Sequence, residues 1–154
     1  KKKGQNINVK ELERKLGVPV VEISALKGEK IDDLMKVAKY LKERRPDLPT
    51  RVNTNGLSSL YNKRDITPEF KGLLDTVSIS LNTSNKEDYL KLTRSQYGID
   101  SFDELLDFAK KCKAYVPHVV LTIVDTTIPE KDVEICKQIA QNIGVTLRIR
   151  PFED

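Results

Sequence analysis

The chain has 154 residues, of which 38% are hydrophobic and 32% are charged, and its formal net charge is +4. This length fits one domain, and acidic residues are interspersed with the basic ones, so we expect no nucleic-acid partner. No apolar run reaches the length of about 18 residues that spans a bilayer, and no signal-peptide pattern opens the chain. We therefore expect no membrane partner and a cytoplasmic location.

Short β-branched runs alternate with longer helical patterns along the chain, which predicts repeated βα units and a mainly parallel sheet. In the first third, the pattern predicts helices over residues 8–16 and 31–44 and strands over residues 18–23 and 51–54. Gly17 stands where the first helix ends.

The middle of the chain begins with a less regular stretch in which Thr67-Pro68-Glu69 predicts a short helical turn. A strand is predicted over residues 76–81. Two Ser-x-x-Glu pairs then predict capping boxes that open helices over residues 85–92 and 102–115. The serines of these pairs are Ser84 and Ser101.

The last third contains a nearly apolar segment, residues 118–124, which is typical of a strand that is covered on both faces. Pro129 starts a predicted helix, Gly144 stops it, and a final strand is predicted over residues 145–150.

These elements predict one three-layer α/β domain over residues 1–154, with a mainly parallel sheet of about five strands. The strand order is open at this point: a flavodoxin-like sheet and a partial TIM-type barrel both fit the pattern. An incomplete barrel leaves sheet edges exposed, and a homodimer through such an edge is one expectation.

Small polar side chains follow the predicted strands, where parallel α/β proteins bind their ligands. If these side chains converge, they form a polar mouth that can hydrogen-bond a small ligand. Alternatively, strand-to-helix turns and helix caps simply require these residue types. The side chains in question are Asn53, Thr54, Asn55, Asn82, Thr83, Asp125 and Thr126.

Two arginines alternate with apolar residues in the last predicted strand, which places Arg148 and Arg150 on one face. In a cleft, this pair could hold a carboxylate or a phosphate; on an edge strand, both would be ordinary exposed side chains. Three hydroxyls, those of Ser78, Ser80 and Thr122, lie among apolar neighbours in the strand patterns.

No residue set for catalysis or metal binding stands out in the sequence. A Walker-type phosphate loop is absent, and the single histidine, His118, has no nucleophile arrangement to serve. Cys112 and Cys136 fall in helical patterns without the spacing of a metal site, which indicates packing residues and suits a reducing compartment.

Residues from about 34 to 154 resemble a radical SAM protein of the TatD-nuclease-associated type. The resemblance is carried by the segments RVNTNGL at 51–57, VSISLN at 77–82, VVLTIVD at 119–125 and GVTLRIRP at 144–151. It implies a barrel-type fold that binds S-adenosylmethionine and a [4Fe–4S] cluster. The family's Cys-x-x-x-Cys-x-x-Cys loop is missing from this sequence, which therefore lacks the cluster motif.

Residues 1 to about 33 resemble instead the C-terminal end of the G domain of ferrous-iron transporters. The matching segments are LGVPVV at 16–21 and SALKGE at 24–29. The resemblance implies that Ser24-Ala25-Leu26 corresponds to the last guanine-nucleotide motif, which contacts the base. The P-loop and the Asn-Lys-x-Asp motif of that family are absent from this chain.

The two resemblances meet within residues 31–41, and we expect a chimera of two α/β fragments that acts as a scaffold without catalytic activity, cofactor or specific partner. The alternative is a radical SAM relative without its cluster that retains weak binding of S-adenosylmethionine or a nucleotide. The resemblance and the strand-end positions nominate five residues for that binding: Asn53, Asn55, Ser80, Asn82 and Asp125.

Overall fold

The computed structural model describes residue 14 and residues 31–152. The predicted helix over residues 8–16 lies outside the described residues, apart from Arg14, which is helical and exposed. The predicted strand over residues 18–23 also lies outside them.

The described chain alternates helices with short parallel strands. The α-helices are α1 (Ile31–Arg44), α2 (Ser58–Asn62), α3 (Lys86–Thr93), α4 (Ser101–Cys112) and α5 (Glu130–Ile143), and a 3₁₀-helix spans Thr67–Phe70. The strands are β1 (Arg51–Thr54), β2 (Thr76–Ser80), β3 (His118–Val124) and β4 (Thr146–Arg150). Within the described residues, no helix is both long enough and apolar enough to cross a membrane.

The four described strands form one parallel sheet in the order β1-β2-β3-β4. An α/β fold with a parallel sheet is therefore confirmed. The flavodoxin order places the first strand between the second and the third, whereas here β2 pairs directly with both β1 and β3, with Val77 opposite Val52 on one side and Val119 on the other. Strands that follow chain order occur both in a barrel segment and in one half of a doubly wound sheet.

Alternation along the strands separates the sheet into two faces. The apolar face holds fully buried side chains of the two central strands, among them Val77, Ile79, Leu121 and Ile123. Helix α4 packs on this face. Its Leu105 and Ile79 of β2 both lie close to Gly56, since a Cβ atom added there would be 3.0 Å from the Leu105 Cβ and 3.1 Å from the Ile79 Cγ2.

The opposite face of the sheet is polar. The register aligns Asn53 with Ser78, and it aligns Ser80 with Thr122 and Arg148. Ser78 and Thr122 are buried nevertheless, and both hydroxyls are paired: the Arg51 guanidinium donates to the Ser78 Oγ at 3.0 Å, and the Thr122 hydroxyl donates to the Ile79 carbonyl at 3.3 Å.

Both predicted capping boxes are wrong. Asn85, not Ser84, caps α3, since its Oδ1 accepts from the Asp88 N–H at 2.9 Å. Ser101 is the first residue of α4 and is fully buried, and its hydroxyl donates backward to the Gly98 carbonyl at 2.7 Å. The residue type predicted a cap at both positions, but neighbouring loops set which atoms are within reach.

The remaining element bounds differ from the predictions in small ways. Helix α4 ends at Cys112 rather than at residue 115, because the next amides, those of Ala114 and Tyr115, donate to carbonyls only three residues back. The short helix α2 lies in the stretch for which no element was predicted. The 3₁₀-helix that begins at Thr67, and the end of α5 at Gly144, confirm those two predictions.

A polar tie joins α1 to the amino ends of β1 and β2. The Asp75 Oδ2 accepts from the Lys42 Nζ at 2.6 Å, from the Thr50 N–H at 2.6 Å and from the Thr50 hydroxyl at 2.9 Å. These donors lower the pKa of Asp75 to about 2, with the Lys42 hydrogen bond as the largest cause.

We predict that G56A costs more stability than G72A. Both glycines have a left-handed φ, +78° at Gly56 and +72° at Gly72, but only Gly56 would bring a Cβ against other side chains. The expected loss in the free energy of unfolding is at least about 2 kcal/mol for G56A and about 1 kcal/mol for G72A, measured by equilibrium denaturation. Equal losses for the two variants would contradict this prediction, because the contact of a Cβ at residue 56 with Leu105 and Ile79 would then not lower the free energy of unfolding.

We predict that D75N destabilises the fold by about 1–3 kcal/mol at neutral pH, because it removes a charged acceptor from Lys42 and Thr50. Since the folded pKa of Asp75 is about 2 against an ordinary 3.8, its contribution is fully present above pH 3.8 and is lost as the pH falls through about 2. The difference between variant and parent should shrink over that range.

The control for this measurement is D33N, which removes the exposed ion pair with Lys36. This change should alter stability by less than about 0.5 kcal/mol at any pH. If the loss in the free energy of unfolding caused by D75N stayed constant between pH 3.8 and about 2, the stabilising role of the Asp75 carboxylate would be contradicted.

Candidate functional site

A cleft of about 410 Å³ lies beside the carboxyl ends of β1 and β2, and we call it the carboxyl-edge cleft. Three segments line it: the turn after β1, the turn after β2, and α3 with the connection that follows it. The lining residues are Asn55, Leu57, Asn82, Tyr89, Thr93, Arg94, Ser95, Gln96 and Tyr97.

Asn55 enters the cleft from a tight turn that its own side chain stabilises. The Asn55 Oδ1 accepts from the Leu57 N–H at 3.1 Å, and the Thr54 hydroxyl accepts from the Gly56 N–H at 3.1 Å. These side-chain bonds satisfy backbone donors where the strand stops, as short polar residues commonly do. Asn55 therefore has the turn role that the sequence offered as one alternative, and it also lines the cleft.

Asn82 lies on the adjacent wall, two residues after the end of β2. Its φ of 64° is in the left-handed region, which asparagine tolerates better than most residues. Its N–H donates to the Thr122 carbonyl at 3.2 Å, as does the Leu81 N–H at 2.9 Å, which continues the contact with β3 for two residues beyond the strand. The half-buried side chain is among those that line the cleft.

Helix α3 and the residue after it supply the other chemistry of the cleft. Tyr89 is 1% exposed and packs edge-on against Phe102, and burial raises the pKa of its hydroxyl to about 12, so it stays neutral. Arg94 ends α3 in a left-handed conformation with a φ of 50°, and its side chain is exposed. Among the described residues that line the cleft, Arg94 alone is charged, and its guanidinium favours an anionic group.

The other three nominated residues lie elsewhere on the structure. Asn53 is on the polar face of the sheet, where its Oδ1 accepts from the Arg51 Nε at 3.2 Å. Ser80 is half-buried on the same face, opposite Thr122. Asp125 is exposed after β3, and its Oδ1 accepts from the Thr126 N–H at 2.9 Å. The structure thus brings together Asn55 and Asn82 only.

Arg148, Arg150 and His118, which the sequence also singled out, all lie on strands of the sheet. Arg148 and Arg150 are exposed on β4, which ends the row of described strands, so the edge-strand alternative is confirmed. His118 is exposed at the start of β3, and its N–H donates to the Asp75 carbonyl at 3.1 Å.

The two cysteines do not fit the cluster that the radical SAM resemblance implies. Cys112 lies in α4 and Cys136 in α5, and both side chains are fully buried. Burial raises the pKa of Cys112 to about 12 and that of Cys136 to about 11, whereas cluster ligands are thiolates. Across residues 31–152, no group of three or more His, Cys, Asp and Glu side chains could hold a metal ion.

No family model matches the chain, and no curated protein sequence matches it either. The resemblances to a radical SAM protein and to a G domain therefore stay predictions.

Sequence reasoning missed the wall of the cleft that α3 and residues 93–97 form. This wall does not follow a strand, so the rule that ligands bind at strand ends could not find it. One signal was available: a cation, Arg94, stands just after a predicted helix.

Proposed function

We propose that this chain is a non-catalytic α/β scaffold, formed by joining the end of a G-domain-like fragment to part of a radical-SAM-like barrel. The observation that carries the proposal is the state of its two thiols. Both are buried in helices with a raised pKa, and neither lines the carboxyl-edge cleft. The chemistry of the resembled family needs three thiolates in one loop.

The helix at the expected seam supports a join at residues 31–41. Helix α1 runs without interruption from Ile31 to Arg44, and it buries Met35 and Ala38 in the core. Lys42 near its end ties it to Asp75 at the start of β2. A helix of this kind can follow a parallel strand in either parent fold, since it needs only one apolar stripe. A natural protein that matches both segments over its full length would contradict the chimera.

The direct test is anaerobic reconstitution with iron and sulfide, followed by addition of S-adenosylmethionine and a reductant. We expect a sample without visible charge-transfer absorption and without cleavage of S-adenosylmethionine, because thiols held neutral by burial do not ligate iron. The matched control is the C112A/C136A variant, which separates ligation by the thiols from iron sulfide bound to the surface. Colour and cleavage that the parent shows and the variant loses would overturn the proposal.

A second candidate function is weak binding of S-adenosylmethionine or a nucleotide without a cluster. The observation that favours it is that Asn55 and Asn82, nominated from the sequence, line the same cleft as Arg94. Amide side chains can hydrogen-bond the polar edge of a base or an amino acid, and the guanidinium can pair with a carboxylate or phosphate. The volume of about 410 Å³ is within the range of small-molecule sites.

Calorimetric titration with S-adenosylmethionine and with GTP tests this second function. If the cleft is the site, R94N should weaken the affinity about tenfold, since it removes the cation while asparagine tolerates the left-handed backbone. The matched control is K63N, because Lys63 also ends a helix with a left-handed φ, 53°, but lies outside the cleft. Absence of heat with both ligands, or equal weakening by the two variants, would remove the cleft as a nucleotide site.

A further inference from the structure

The outer side of β4 presents backbone groups that no described strand pairs. In residues 31–152, β4 pairs with β3 alone. The Asp125 N–H donates to the Arg150 carbonyl at 2.7 Å, so the backbone of Arg150 faces β3. Because backbone groups of successive residues point to opposite sides of a strand, those of Leu147 and Ile149 face away from β3. An edge of this kind is a template for an added strand.

The side chains of β4 alternate in charge and polarity. Arg148 and Arg150 lie on the polar face of the sheet, are both exposed, and form none of the ion pairs among the described residues. Leu147 and Ile149 lie on the other face, where Leu147 is half-buried and Ile149 is 43% exposed. The edge therefore offers two positive charges on one side and apolar surface on the other.

This charge pattern disfavours a second copy of the chain as the added strand. In an antiparallel pair of two β4 strands with full overlap, Arg148 lies directly opposite its own counterpart. A shift by two residues toward the carboxyl end places Arg148 opposite Arg150 instead. Like charges that are directly opposite each other destabilise a strand pair.

We propose that β4 binds an extended segment of another protein in which acidic and apolar side chains alternate. Its backbone would pair with the outward N–H and C=O groups of Leu147 and Ile149. Its carboxylates would lie beside Arg148 and Arg150, and its apolar side chains would cover Ile149. Strand addition of this type takes affinity from the backbone bonds and specificity from alternate side chains.

The test uses two labelled synthetic peptides, one that alternates glutamate with valine and one that alternates lysine with valine. Fluorescence anisotropy with the full chain should show binding of the glutamate peptide at least about tenfold tighter than the lysine peptide. On binding, the amides of Leu147 and Ile149 should become protected from hydrogen exchange. Equal affinities, or no binding of the glutamate peptide, would overturn the proposal.

Two variants separate charge from backbone pairing. R148E/R150E should reverse the preference, so that the lysine peptide binds more tightly. I149P removes the outward N–H of residue 149 and should abolish binding, whereas I149A keeps that N–H and should retain most of it. Equal binding by I149P and I149A, or a dimer of the free chain that already protects these amides, would overturn the acidic strand as the occupant.

Discussion

The constraint on which the rest of the structure depends is the pairing of four parallel strands in chain order. Because β1 pairs with β2, β2 with β3 and β3 with β4, each strand has one fixed register, and alternation then assigns every side chain to a face. The apolar face receives α4, whose Leu105 approaches Ile79 beside Gly56. The polar face carries Arg51, Asn53, Ser78, Ser80, Thr122, Arg148 and Arg150. If a strand shifted by one residue, its side chains would move to the opposite face of the sheet.

The strand pairing also limits how many ligand-binding side chains come together at the carboxyl ends of the strands. Most of the small polar side chains at the carboxyl edge serve the backbone: Asn55 and Thr54 hold the turn after β1, and Asp125 holds the turn after β3. Asn55 and Asn82 also line the carboxyl-edge cleft, where Arg94 is the one charged residue among those that the structure describes. With one cation, three amide side chains (those of Asn55, Asn82 and Gln96) and the neutral hydroxyl of Tyr89 among its described lining, the cleft can bind a small anion.

Much of the fold could be predicted from the sequence, because hydrophobic periodicity depends on burial and burial is set by the pairing. Strands 51–54 and 118–124 were predicted with the bounds that the structure has. Helix caps could not be predicted from residue type alone: Ser84 and Ser101 both have the right hydroxyl, but Asn85 is the residue that reaches the Asp88 N–H. Only the part of the cleft that follows the strands, with Asn55 and Asn82, could be predicted. Arg94 lines the cleft because α3 packs beside it, and not because Arg94 follows a strand.

The most direct test of the account is residue-resolved hydrogen exchange along β4 in the free protein. If β4 pairs with β3 on one side only, the amides of Arg148 and Arg150 are bonded to β3 and exchange slowly. Those of Leu147 and Ile149 face the open edge and exchange quickly, which gives an alternating pattern. Slow exchange at Leu147 and Ile149, equal to that at Arg148, would contradict a β4 that pairs on one side only.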